Sequence, residues 1–247
     1  MEHLDFLDVI AQETTALAAA ARSVGPDAAV PATPEWTMAK LVKHTGTTHR
    51  WVLGITATRQ FANPGDLELG LPDDEGAYPE WIEAGAVQLV ATLRDIAPDA
   101  DMWSWGEDQH ARFWSRRMAH ETVIHRWDAQ SATGAQDGIE VNLAIDGIDE
   151  RLANLTASLN FRPDDLGALK GDGESVHIHA TDGDGEWVLR FEPDGLAITR
   201  EHAKGDVAVR GPARDLLLYL TGRRGLDGFE IFGDEAVLTS RNAIRTF

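Results

Sequence analysis

The stretch RRMAHETVIHRWDAQ, residues 116–130, decides how this chain is organised. It lies in a run from Ala111 to Thr133 without Gly or Pro, which is typical of one continuous helix. At about 100° per residue, Glu121, His125 and Asp128 project within roughly 60° of one another and share a helix face. A carboxylate and an imidazole on an inward face are costly unless both are paired, and a metal ion would pair with both. Alone, a Glu and a His at this spacing also occur as an ordinary surface pair.

A tight metal site needs a further ligand from another helix, and the pattern predicts one at about residues 34–61. Its start is expected at the Thr33–Pro34 pair, as a cap and first turn. His44 and His49 both lie on this helix, but five residues rotate by about 140°, so both cannot face one point. His44 is in register with the apolar Leu41, whereas His49 is expected to turn toward the other side. We therefore choose His44.

His44, Glu121 and His125 would form a His2Glu set that leaves one position open for water or substrate. This arrangement is typical of catalytic zinc. Asp128 is then expected to orient a ligand imidazole or to hold the substrate.

The periodicity predicts an α+β chain with an N-terminal four-helix bundle, a kind of fold that commonly holds a metal between facing helices. A fifth helix is expected at about residues 143–159, and after it short alternating segments predict strands. We place the domains at residues 1–160 and 161–247. The four bundle helices are predicted at about residues 4–22, 34–61, 80–96 and 111–133.

The composition of the chain limits which binding partners and which metal ligands are expected. The chain has 247 residues, a formal net charge of −19 and no cysteine. The negative charge, without a basic stripe, argues against nucleic acid or an anionic membrane surface as a partner. Without cysteine, a metal must be bound by His, Asp or Glu, and thiol chemistry requires a thiol from outside the chain.

The sequence begins with an acidic, amphipathic segment rather than with the basic start and apolar block of a signal peptide. It contains no run of the roughly 18 apolar residues that a membrane span needs. We expect a cytoplasmic protein, either a monomer or a homodimer.

His177 and His179 alternate along a predicted strand and point to the same side of it. We interpret them as solvent-facing strand histidines, and metal ligation is the alternative.

Three segments together resemble the mycothiol-dependent maleylpyruvate isomerase family of actinobacteria. They are PEWTMAKLVKH at residues 34–44, RRMAHETVIHRWDA at 116–129 and GPARDLLLYLTGRRGLDGFEIFGDEAVL at 211–238. The resemblance runs in the same order over nearly the whole chain. It implies a DinB-like metal-binding four-helix bundle followed by a smaller α+β domain similar to sterol carrier proteins.

The resemblance also assigns residues. The family's metal-binding histidine ends a W-T-x-x-x-L-x-x-H stretch, matched here by His44, and its E-x-x-x-H pair is matched by Glu121 and His125. The acidic residue three positions further is Asp128. The family uses an arginine in the segment that matches GRRGLDG, and the match leaves Arg223 and Arg224 open. Such a guanidinium would suit a substrate carboxylate.

The resemblance implies an enzyme that binds zinc or another divalent metal such as nickel. It also implies mycothiol as cosubstrate and a small electrophile as substrate. Zinc at an open site would lower the pKa of the thiol and present a thiolate. An isomerase adds that thiolate to a conjugated double bond, allows rotation and releases it, whereas an S-transferase keeps the adduct. The alternatives are a metal-dependent hydrolase and a non-catalytic metal-containing binding or stress-response module.

Overall fold

The structure is a computed structural model that describes residues 1–158 and 167–245. It divides into two compact units, Met1–Asp137 and Gly138–Phe247. The domain boundary predicted between residues 160 and 161 lies outside the described residues and stays a prediction. Among the described residues, the helix that follows the bundle groups with the second unit rather than with the first.

In the first unit, all of whose residues are described, four α-helices form the bundle expected from the sequence. α1 contacts α3 and α4, and α2 also contacts both of them. Two apolar clusters fill the interior, one around the fully buried Trp114 and one around Leu17 and Ile82. The helices are α1 His3–Val24, α2 Met38–Thr58, α3 Tyr78–Arg94 and α4 Ala111–Ser131.

Helix α2 begins later than predicted, because the preceding residues form a turn. The amide of Val30 donates to the carbonyl of Trp36 at 3.1 Å, and Ala29 forms a bridge with Thr37. Thr37, and not Thr33, caps the helix, since its side chain accepts a hydrogen bond from the amide of Lys40 at 3.3 Å. The turn fixes Trp36 immediately before the helix that carries His44.

The second unit combines a mixed sheet with helices, which confirms the α+β class. In the described residues the strand order is β3-β2-β1-β4-β5; β1 and β4 are parallel and the other neighbours are antiparallel. The elements are α5 Val141–Ser158, β1 Ser175–Ala180, β2 Glu186–Glu192, β3 Gly195–Thr199, β4 Val207–Gly211, α6 Ala213–Leu220, β5 Glu230–Gly233 and α7 Glu235–Ser240.

The two faces of this sheet differ in polarity because side chains alternate along each strand. Val176 and Ile178 on β1 are buried, and so is Trp187 on β2, which pairs with Ile178. The indole of Trp187 donates to Asp149 of α5 at 2.7 Å, so α5 packs against this apolar face. His177 and His179 point to the opposite face.

No helix within residues 1–158 and 167–245 combines the length and apolar character needed to cross a membrane.

Candidate metal centre

Helix α4 carries three residues of the predicted site on one buried face. It continues without interruption from Ala111 to Ser131. Nε2 of His125 lies 3.1 Å from Oε1 of Glu121, one turn earlier, and Nδ1 of the same ring lies 2.9 Å from Oδ2 of Asp128. His125 and Asp128 are buried, with 5% and 0% of their surface exposed. The shared face predicted from spacing is therefore present.

Helix α2 adds His44 to this face. Its Nε2 lies 3.2 Å from Oε1 of Glu121, the oxygen that His125 also approaches. One ligand atom from each of His44, Glu121 and His125 falls within 4.8 Å of the others. The side chain of His44 is 41% exposed while that of His125 is 7% exposed, so the set is open to solvent on the His44 side.

Asp128 fixes the orientation of the His125 ring. Because its carboxylate faces Nδ1, the other nitrogen, Nε2, points toward Glu121 and His44. A carboxylate behind a ligating histidine is the usual way in which proteins set the ring orientation and raise its basicity. The backbone carbonyl of Asp128 also accepts a hydrogen bond from Ser131 at 2.6 Å, which fixes the end of α4.

The charges in the site are coupled. Burial disfavours the imidazolium of His125, but Glu121 and Asp128 outweigh that effect and raise its pKa to about 9. Burial acts against the charge of Glu121 too, yet His125, His44 and Arg117 hold its pKa well below the usual range. Arg117 donates to Oε2 of Glu121 at 2.8 Å, which leaves Oε1 for the two histidines. A metal would take the place of the positive charge that His125 otherwise carries.

Trp36 contacts both histidines of the set. Its ring centroid lies 4.8 Å from that of His44 and 5.9 Å from that of His125, with which it is nearly parallel. Lys40 places its ammonium 5.7 Å from the indole centroid. Trp36 therefore forms an aromatic wall of the site, which its position in the W-T-x-x-x-L-x-x-H stretch could have indicated.

The expectation that His49 turns away was wrong, since His49 is fully buried and contacts α4. Its Nε2 lies 2.9 Å from Oγ1 of Thr122, the residue after Glu121. Its Nδ1 is buried and has no hydrogen-bond partner among the described residues, and burial lowers the pKa of the ring to about 4. His49 is thus a neutral imidazole packed between α2 and α4, outside the ligand set.

The two candidate arginines lie in the second unit. The guanidinium of Arg224 pairs with Asp215 at 2.7 Å and lies 4.8 Å from the ring centroid of Phe229. It also donates to the carbonyl of Asp227. Arg223 donates to the carbonyl of Thr221 at 2.6 Å. The choice between the two as a substrate-binding residue stays a prediction.

The donor set defines a class of site: two imidazoles and one carboxylate from facing helices of a bundle, as suits zinc or a similar divalent cation. Comparisons with known proteins identify the family of the chain. A family model described as the mycothiol maleylpyruvate isomerase N-terminal domain matches residues 7–130. A second, described as the MDMPI C-terminal domain, matches residues 142–240. The chain belongs to the mycothiol-dependent maleylpyruvate isomerase family.

Solved structures show the same fold. The chain is similar to a crystal structure titled as the mycothiol-dependent maleylpyruvate isomerase, with 15% identity and a TM-score of 0.57, covering 94% of this chain and 93% of the other. A histidine-to-alanine mutant of that enzyme gives 14% identity and a TM-score of 0.58 over the same shares. A ubiquinone synthesis protein, UbiJ-SCP2, covers 44% of this chain and 93% of its own at 16% identity, but its TM-score of 0.28 is too low to support an argument. No curated protein gives a significant match.

Proposed function

We propose that this chain is a metal-dependent enzyme that uses mycothiol as a thiol cosubstrate and acts on a small electrophile, as an isomerase of the maleylpyruvate type or as an S-transferase. The observation that carries the proposal is the convergence of His44, Glu121 and His125 within 4.8 Å in a chain of this family. The sequence contains no cysteine, so any thiol used at this site would come from a cosubstrate.

The residues present fit a metal. Two borderline imidazole nitrogens and one hard carboxylate oxygen form a donor set that suits zinc or nickel, and Asp128 holds His125 in the orientation that a ligand needs. When bound, such a cation acts as a Lewis acid that lowers the pKa of a thiol and favours the thiolate near neutral pH.

Side chains around the three ligands have further proposed roles in charge balance, shielding and substrate access. Arg117 neutralises the carboxylate oxygen of Glu121 that faces away from the histidines. The indole of Trp36 covers one side of the two imidazoles. The more exposed ring of His44 marks the side from which a thiol and an electrophile reach the site. We further propose that Arg223 or Arg224 binds a carboxylate of the electrophile.

The first test is metal content by mass spectrometry on untagged protein, followed by calorimetric titration with mycothiol. We expect about one tightly bound zinc or nickel ion per chain at this site, and thiol binding that disappears after chelation. His44→Ala should lose both, whereas His110→Ala should lose neither, because His110 pairs with Asp108 in a loop away from the set. Thiol binding that survives in His44→Ala would contradict the proposal.

The fate of the thiol distinguishes an isomerase from an S-transferase. An isomerase returns the free thiol unchanged, so mycothiol is required in catalytic amount, whereas an S-transferase consumes one thiol per turnover. Turnover of maleylpyruvate and of simple electrophiles, with the thiol counted before and after, distinguishes them. Hydrolysis without any thiol would point instead to the metal-dependent hydrolase considered above.

A further inference from the structure

The second unit contains another convergent set of donors, separate in sequence and in unit from the bundle site. Nε2 of His177 and Nδ1 of His202 lie 2.9 Å and 2.6 Å from Oε2 of Glu186. Nδ1 of His179 lies 3.2 Å from Oε1 of the same carboxylate. One ligand atom from each of the four residues lies within 4.8 Å of all the others. We call these four residues the sheet cluster.

Three neighbouring segments of the sheet build the cluster. His177 and His179 are two residues apart on β1 and therefore share a face. Glu186 is the first residue of β2 and pairs with His179 across the ladder. His202 belongs to the loop of residues 200–206, which joins the end of β3 to β4. The interpretation of His177 and His179 as solvent-facing histidines was therefore wrong: His177 is buried at 7% exposure, and both side chains face Glu186.

The donor atoms of the cluster lie close enough together to surround a small cation. In a tetrahedral zinc site with bonds of about 2.0–2.1 Å, neighbouring ligand atoms are roughly 3.3 Å apart. The imidazole-to-carboxylate distance is 3.2 Å for His179, near that value, and the 2.9 Å and 2.6 Å contacts of His177 and His202 would lengthen on binding. Side-chain exposure rises from 9% at His177 through 21% at His179 to 81% at His202, so one side of the cluster is reached from solvent.

We propose that His177, His179, Glu186 and His202 form a second metal site, for a borderline divalent cation such as Zn²⁺. Imidazole nitrogens and carboxylate oxygens are donors that zinc accepts, and three imidazoles with one carboxylate supply the four that tetrahedral coordination requires. Because all four positions are then filled by protein, the site would be structural rather than catalytic. Binding would attach the 200–206 loop to β1 and β2 through His202.

This proposal does not depend on the bundle site, and the experiment separates the two. The untagged full-length His44→Ala/His125→Ala variant, which lacks two bundle ligands, is equilibrated with zinc, dialysed and analysed by metal mass spectrometry. We expect about one zinc ion per chain in this variant and about two in the unmodified chain. Titration with Co²⁺ should give the visible absorption bands of a four-coordinate site.

Adding His179→Ala and His202→Ala to this variant should abolish zinc binding and the cobalt bands. A matched control adds Glu201→Ala, which changes an exposed neighbour in the same loop whose carboxylate accepts from Thr199, and it should retain both. Circular dichroism checks that each variant is folded. If the bundle variant does not fold, His179→Ala/His202→Ala in the otherwise unmodified chain should lower the zinc count from two to one.

Zinc-free folded protein in the bundle variant would overturn the proposal, and so would zinc that persists without His179 and His202. Either result would mean that the sheet cluster is held by hydrogen bonds to Glu186 alone. Loss of thiol binding in the bundle variant, by contrast, bears only on the proposed function.

Discussion

The ring of His125 lies between two carboxylates, and this placement defines the chemistry of the bundle site. Glu121 and Asp128 together raise its pKa to about 9 despite burial, so without a metal the ring is protonated at neutral pH. A divalent cation and this proton compete for Nε2, whereas Asp128 can keep its hydrogen bond to Nδ1. We therefore propose different roles for the two neighbours of His125: Glu121 would bind the metal, and Asp128 orients the His125 ring.

Substitutions on α4 should separate these roles. We expect His125→Ala to abolish metal binding at the bundle site, because it removes a donor at the centre of the set. Asp128→Ala should retain the metal but lose activity, since outer partners of ligating histidines typically contribute about 10–100-fold to metal affinity or activity. Metal counting and turnover on the same preparations check both. Stoichiometric zinc at the bundle site of His125→Ala would refute the ligand assignment.

The buried imidazole of His49 predicts a pH dependence of stability. Its pKa is lowered to about 4 by burial, with Glu121 acting against that shift and the charges of Arg50 and His125 adding to it. In the unfolded chain the His49 ring becomes protonated near pH 6.5, whereas in the folded chain it becomes protonated only near pH 4. The contribution of His49 to the free energy of unfolding is therefore complete above pH 6.5. It is lost as the pH falls toward 4, by about 3 kcal/mol in total.

Urea unfolding of metal-free protein at several pH values tests this. His49→Gln can keep the contact with Thr122 but does not titrate. The unfolding free energy of the unmodified chain should fall faster than that of the variant between pH 6.5 and pH 4. Parallel curves for the two proteins would show that His49 does not titrate in this way.

At the scale of elements, the close approach of α2 and α3 depends on a glycine. A Cβ at Gly46, in the interior of α2, would lie 2.1 Å from the indole of Trp81 on α3. Arg50, one turn later, covers the same indole with its guanidinium 3.8 Å from the ring centroid and donates to the Trp81 carbonyl at 2.8 Å. Any larger residue at Gly46 must displace the indole of Trp81.

Gly46→Ala should therefore destabilise the bundle. Overpacking typically costs about 1–3 kcal/mol, which outweighs the gain of up to about 1 kcal/mol from helix propensity. Gly54→Ala on the same helix is the matched control, because its Cβ would meet mainly the flexible end of Leu67 at 2.9 Å. Thermal unfolding should show a lower Tm for Gly46→Ala and an equal or higher Tm for Gly54→Ala. Equal stability of the two variants would contradict this account of the packing.

At the scale of the whole molecule, Arg224 of the second unit is predicted to contribute to stability. Arg224 is held by Asp215 and by the Phe229 ring, so Arg224→Ala should reduce stability by roughly 1 kcal/mol, a small value because the pair is partly exposed. Arg214→Ala, which removes the other partner of Asp215, is the control for that ion pair.

The resemblance leaves open which of Arg223 and Arg224 binds a carboxylate of the electrophile, and kinetics on the two alanine variants decide between them. We expect the variant that lacks the binding arginine to raise KM for a carboxylate-bearing electrophile on the order of ten- to hundredfold, which corresponds to one lost charge-assisted hydrogen bond. Thermal unfolding checks that both variants are folded. An unchanged KM in both variants would contradict the proposal that either arginine binds the substrate.

The sequence by itself determined the periodic features of this protein. Spacing along α4 placed Glu121, His125 and Asp128 on one face, and alternation along β1 placed His177 beside His179. These features follow from the fixed geometry of a helix or a strand, so they require no knowledge of neighbouring elements.

Only the tertiary structure decided which elements meet at those faces. The turn before α2 directs Trp36 onto the two histidines, the packing of α2 on α4 buries His49, and the 200–206 loop brings His202 to Glu186. Periodicity fixes the direction of a side chain about its own axis but not the position of one axis relative to another. That position comes from the packing of residues distant in sequence, such as Gly46 against Trp81.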